Sequence, residues 1–201
     1  MKNLKNGIKK SSKNEQKCKK IAKEGEKMNV ICISGKAQHG KDTSAMLMKR
    51  EFESHGYSVL ITHYGDVLKY ICKEFFGWDG VKDEDGRQML QTVGTNKIRY
   101  RNPDFFVNFL RDVLVALDDW DFVLIPDARF PNEVRTMQDA FRATHVRIER
   151  QNFISPLTEE QQKHPSEIAL DNYPVEWYID NCGTINDLRE TVETFVEEYL
   201  K

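Results

Sequence analysis

Residues 35 to 43 read Gly35-Lys36-Ala37-Gln38-His39-Gly40-Lys41-Asp42-Thr43, a G-x-x-x-x-G-K spacing directly behind the apolar run Val30-Ile31-Cys32-Ile33. Glycines at those two positions let the backbone fold into a nest of N–H groups, and the following helix adds its N-terminal dipole. Such a loop surrounds phosphate oxygens. Lys41 would set its ammonium against the outer phosphates, while Gly35, Lys36, Gly40, Lys41, Asp42 and Thr43 form the expected nucleotide-binding set. Asp42 replaces the usual hydroxyl. It is expected to hold Mg²⁺ directly or through water, with Thr43 beside it.

Further along stand two acids at the ends of apolar runs. Asp66 follows Ser58 to Thr62, and Asp127 follows Phe122-Val123-Leu124-Ile125 with Arg129 two residues on. In open parallel sheets, ligands bind beyond the carboxyl ends of the strands. Asp127 there suits Mg²⁺ or its water shell, Arg129 a phosphate, and Asp66 an acceptor molecule or a helix N-cap; Lys69 is within reach of phosphate or solvent. Arg150, beyond Val146 and Ile148, is a candidate for neutralising charge on a transferring phosphoryl group. His39 occupies a variable position of the loop and is given no chemical role; His55, His63 and His145 lack metal-ligand spacing, and we expect local hydrogen bonding from them.

Positioning these groups requires strands that alternate with helices. Strands are predicted at 30–33, 58–62, 122–125, around Val146 and Ile148, and at 177–179. Helices are predicted at 42–53, 67–76 (with Leu68, Ile71, Cys72 and Phe75 inward), 87–93, 103–117, from Pro131, and at 185–200; residues 77 to 86 read as a loop. That order implies an α/β three-layer fold with a mainly parallel five-stranded sheet. Residues 151–166 are polar, carry Pro156 and Pro165, and read as a lid.

The chain has 201 residues, enough for one catalytic domain, and no apolar stretch of spanning length, so no membrane contact and a cytoplasmic protein are expected. Cys18, Cys32, Cys72 and Cys182 are scattered, which suits free thiols. Charge is uneven. Residues 1–28 carry ten lysines against Glu15, Glu24 and Glu26, a charge of +7, and the remainder, with 20 basic and 29 acidic residues of the totals 30 and 32, is at −9. A lysine-rich segment this poor in apolar residues reads as a disordered tail, and without interleaved aromatics it is a weak signal for nucleic-acid contact.

Several separated segments occur in one order: Gly40-Lys41-Asp42-Thr43, Gly65-Asp66-Val67-Leu68-Lys69, Gly86-Arg87-Gln88-Met89-Leu90-Gln91 with Gly94-Thr95, Asp127 to Glu133, and His164-Pro165-Ser166-Glu167. Together they resemble phage-type deoxynucleoside monophosphate kinases over about residues 29 to 200. The resemblance implies a P-loop kinase fold with strand order like 2-3-1-4-5, Mg²⁺, and ATP and a deoxynucleoside monophosphate as partners; a homodimer is left open. It also places Arg87, Arg99 and Arg101 around the acceptor, adds His164 and Glu167 to the site, and likens the loop at Asn181 to one near the ATP base. The expected reaction is ATP plus a deoxynucleoside monophosphate giving ADP and the diphosphate. The alternatives are another small-molecule P-loop kinase, of the dephospho-CoA kinase kind, and a non-catalytic nucleotide-binding module.

Overall fold

The computed structural model describes residues 28–201; the proposed tail otherwise lies outside the described residues. Met28, read with the tail in the sequence, is buried in the core and belongs to the domain. Five strands form one parallel sheet in the order β2-β3-β1-β4-β5. They are β1 (Asn29–Ser34), β2 (Val59–Ile61), β3 (Phe122–Ile125), β4 (Thr144–Glu149) and β5 (Trp177–Asp180). The helices are α1 (Lys41–Ser54), α2 (Tyr64–Phe76), α3 (Glu84–Gln91), α4 (Phe105–Leu117), α5 (Pro131–Phe141), the short α6 (Glu159–Gln162) and α7 (Pro165–Ile168), and α8 (Ile185–Tyr199).

The period-2 geometry of strands divides the core in two. Val30 and Cys32 of β1, with Val123 and Ile125 of β3, face Phe106, Leu110 and Leu114 of α4 and Val134 and Met137 of α5. Ile31 and Ile33, with Leu124, Val146 and Ile148, face Met48 and Phe52 of α1 and Val192 and Phe195 of α8. Because helices cover both faces, every residue of β3 is buried, which explains its unbroken apolar run. Phe52 and Phe122 stack at 3.9 Å across the second layer.

Three local expectations need correction. The segment 77–86 is not all loop: Asp83 accepts the Gly86 N–H as an N-cap, and α3 starts at Glu84. The helix expected to stop at Val93 runs on as a wider π-type coil, Thr92–Arg99. Gly94 lies in its first turn, where a Cβ would be 2.6 Å from Leu68 Cδ2, so only a bare backbone packs there. Phe75, predicted to face inward, is 73% exposed, and Cys72 with Trp78 fills that position instead. Among the described residues, no helix is long and apolar enough to cross a membrane. Cys32, Cys72 and Cys182 are free thiols.

Candidate functional site

β1 is the centre of the sheet, with β3 on one side and β4 on the other, so the loop after it opens at the point where the strand order reverses. Gly35, Gln38 and Gly40 all have positive φ, at 144°, 59° and 90°. A Cβ on Gly35 would lie 2.5 Å from the Ile148 carbonyl oxygen, and one on Gly40 would collide with the Asn181 amide. The loop is therefore pressed against β4 and the end of β5, and glycine is required at both points.

Lys41 opens α1 and is 8% exposed. Its Nζ donates to the Gly35 and Lys36 carbonyls at 2.9 and 2.8 Å, so the ammonium sits within the curl of the loop. Burial first, and the Arg129 charge second, bring its pKa down to about 8 against the opposing pull of Glu167, Asp42 and Asp127. Two cations are thus held close together in a partly desolvated pocket. That arrangement is unfavourable by itself and is relieved by an anion.

Asp127 ends at the same edge. Its two oxygens accept the Tyr64 and Gly65 N–H groups, each at 2.9 Å, which ties β3 to the start of α2. Burial raises its pKa against those backbone donors, His63 and Arg129. The carboxylate expected to face Mg²⁺ is thus largely engaged in capping a helix. Asp66 and Asp42 are more exposed and are joined by a residue with no assigned role in the sequence: His63 Nε2 lies 3.0 Å from Asp42 Oδ1 and His63 Nδ1 lies 3.3 Å from Asp66 Oδ2. Lys69 donates to Asp66 at 2.7 Å. Burial pushes the Asp66 pKa up, but Lys69 and His63 outweigh it, and the carboxyl titrates below its ordinary value. Thr43 is exposed beside Asp42.

Among the described residues, no group of three or more His, Cys, Asp or Glu side chains forms a metal cage. Exposed carboxylates at the mouth of a phosphate loop do fit Mg²⁺, which keeps waters and takes substrate phosphate oxygens alongside one or two protein oxygens. Asp42 and Asp66 would hold it once the His63 and Lys69 side chains give up their oxygens, whereas both Asp127 oxygens hold the backbone of α2.

The arginines have separate fates. Arg129 Nη1 pairs with Glu167 Oε1 and reaches the Ser166 carbonyl at 3.4 Å. Arg99, expected as an acceptor ligand, donates through Nη2 to the fully buried Glu133 at 2.8 Å and lies between the Phe106 and Phe130 rings at 4.9 and 4.8 Å. Glu133 also accepts the Arg129 and Phe130 N–H groups as the first-turn acid of α5. Burial raises its pKa, and Arg99 is the main opposing charge.

Removing Arg99 strands a buried carboxylate. We expect Arg99→Met to cost about 3 kcal/mol, a drop in Tm on the order of 10 °C. The folded Glu133 pKa is raised, so its ionised form carries the penalty; protonation removes it, and the deficit should narrow as pH falls. Denaturant titrations at two pH values check this, and equal stability at neutral pH would refute it.

Arg87 stands exposed on α3, apart from the clefts described below. Arg101 is exposed as well. Arg150 stacks over Phe153 at 4.6 Å, and its N–H donates to His39 Nδ1 at 3.2 Å, so the start of the expected lid rests on the loop. Burial lowers the His39 pKa and favours its neutral form. Asn181 Nδ2 donates to the His39 carbonyl at 2.9 Å and braces the loop from behind. His164 caps α7, with Nδ1 2.9 Å from Ser166 Oγ.

Two clefts flank the Arg129–Glu167 pair. One, of about 290 Å³, is lined by Lys36, Ala37, His39, Arg150, Phe153 and Glu167. The other, of about 460 Å³, is lined by Asn96, Arg99, Tyr100, Phe130, Asn132 and His164, among others. Sequence reasoning missed Asn96, Tyr100 and Asn132 as site residues: Asn132 lies within the segment Asp127 to Glu133 and Asn96 follows Gly94-Thr95, but an amide or a phenol carries no spacing signal of its own.

No protein-family model matches the chain, and no curated protein matches it in sequence. Solved structures resemble it in fold. They include APS kinase from Mycobacterium tuberculosis in complex with AMPPNP and APS (14% identity, 85% of this chain and 98% of that one, TM-score 0.49). A sugar kinase from a Janibacter species is similar at 15% identity over 85% and 95% of the two chains, with a TM-score of 0.49. Shikimate kinase from Acinetobacter baumannii in complex with shikimate aligns at 12% identity over 86% and 93%, with a TM-score of 0.41.

Proposed function

We propose that this chain is a phosphotransferase that moves the γ-phosphoryl group of ATP onto the phosphate of a deoxynucleoside monophosphate. The observation that carries the proposal is the buried Lys41 ammonium inside a nest-forming loop, held near the Arg129 guanidinium, with clefts on both sides. Nucleotide sites commonly fall at such a crevice.

The smaller cleft, beside the loop, suits the donor. The larger combines aromatic faces at Tyr100 and Phe130 with amides at Asn96 and Asn132, the pairing needed to stack a planar base and read its edge. An acceptor phosphate oxygen attacks the γ-phosphorus in line as the bond to the β-bridging oxygen breaks. The acceptor is already ionised, so the chain's residues need only orient two anions and neutralise them. Lys41 faces the outer phosphates and Arg129 the group in transfer. Mg²⁺, which Asp42 and Asp66 would hold, would supply further neutralisation of the phosphates. Arg150, Phe153 and the rest of 151–166 close over the donor and exclude water.

A coupled ADP-release assay across deoxynucleoside monophosphates, ribonucleoside monophosphates and small hydroxyl acceptors tests this. Turnover with one or more deoxynucleoside monophosphates, at least about tenfold above acceptor-free ATP hydrolysis, is expected. Turnover only with a hydroxyl acceptor would overturn the acceptor assignment, and none with any acceptor the enzyme assignment.

A further inference from the structure

Ala37 lies in the stretch whose N–H groups would surround phosphate, yet its amide already has an anion: it donates to Glu167 Oε2 at 2.9 Å. The other oxygen of that carboxylate is paired with Arg129. The Glu167 side chain is 8% exposed, so this is a seated group. Its surroundings hold it there. Lys36 Nζ donates to the Glu167 carbonyl at 2.8 Å and to Asp171 Oδ2 at 2.6 Å. Arg147, with its side chain only 11% exposed, donates to the Leu170 carbonyl at 3.0 Å and to Asp171 Oδ1 at 2.8 Å. Lys36, Arg129 and Arg147 are therefore all turned towards residues 166–171.

We propose that Glu167 is an internal anion filling a phosphate position of the empty loop, and that an incoming polyphosphate displaces it and takes Arg129 in its place. The proposal rests on reading the loop as the ATP site. One amide and one guanidinium cannot serve two anions at the same point, so apparent affinity is scaled down to the fraction of molecules in which Glu167 has moved away. Arg129 becomes available for transfer only after the exchange, and an empty site keeps its cations neutralised.

Calorimetric titration of the full chain with ATP, and separately with inorganic pyrophosphate, tests the exchange. Glu167→Gln keeps an oxygen for Ala37 but loses the charge that holds Arg129. We expect Kd to fall about fivefold or more for both ligands. Glu197→Gln, the same charge change at an exposed acid of α8, should leave both values unchanged. An unchanged or higher Kd in Glu167→Gln, a gain for ATP without one for pyrophosphate, or an equal gain in Glu197→Gln would overturn the proposal. If Glu167→Gln does not fold, Glu167→Asp, one methylene shorter and unable to span Ala37 and Arg129, carries the same expectation. Failure of the unmodified chain to bind ATP would overturn the underlying ATP assignment, and it is read from that titration alone.

Discussion

Lys41→Met should lower phosphoryl transfer by about a thousandfold or more, since a preorganised cation at the transferring group is worth about 4 kcal/mol or more in comparable sites. The fold should survive. In the unliganded protein the Lys41 charge is a burden: burial first, then Arg129, brings its pKa from 10.5 to about 8. Below pH 8 both folded and unfolded chains carry the proton, and the folded state bears the full penalty. Between pH 8 and 10.5 the folded state releases it while the unfolded chain retains it, so wild-type stability should rise relative to Lys41→Met, by about 3 kcal/mol as an upper bound. The two Lys41 hydrogen bonds to Gly35 and Lys36 partly offset the burden. Paired denaturant titrations at pH 7 and pH 10 measure the convergence. A gap that widens in favour of methionine at high pH would contradict the placement of this ammonium. Transfer activity above one per cent of wild type in a folded variant would remove the loop from the chemistry.

Arg129→Lys keeps one positive charge and loses the planar fork. We expect kcat/KM for the monophosphate to drop at least about tenfold, equivalent to roughly 1.4 kcal/mol of transition-state binding. ATP affinity should change by less than that, because lysine keeps the charge with which both Glu167 and an incoming phosphate pair. Tm should move little too, since the guanidinium is partly exposed and its carboxylate partner retains the Ala37 N–H. Acceptor kinetics, ATP affinity and Tm on one preparation distinguish a phosphate ligand from a sheet-edge support. Unchanged acceptor kinetics would be decisive against the first.

The parts of this molecule that are legible in sequence are those fixed by local rules. The glycine spacing at 35 and 40 reflects backbone angles that other residues tolerate poorly, and the unbroken apolar run of β3 reflects burial on both faces. Strand order 2-3-1-4-5, implied by the resemblance, is the order observed. The rest depends on partners far apart in the chain. Arg99 looks like any cation near an acceptor until Phe106, Phe130 and Glu133 close around it. His63 has no spacing signal, because Asp42 and Asp66 meet it only when α1 and α2 start at the same sheet edge. The carboxylate of Glu167 and the amide of Ala37 are 130 residues apart, and nothing local to either predicts the contact.

The sheet is also a division of labour. β1, β4 and β5 shape and brace the phosphate loop, through Ile148 against Gly35 and Asn181 against Gly40. β3 and the segment after it lead instead to Asp127 and Arg129, and on to Phe130 and Asn132, which line the larger cleft. The two halves meet along the β1–β3 ladder, in the shared core at the Phe52–Phe122 stack, and at the Arg129–Glu167 pair above the sheet. On the proposed reading, such a scaffold can change its acceptor without disturbing how it holds the donor: replacing the wall at 95–104 and residues 130 and 132 alters one chamber, whereas any side chain added at 35 or 40 damages the other. For redirecting the chain towards a new acceptor, the first group is where variation should be introduced, with the loop and its two bracing strands kept as they are.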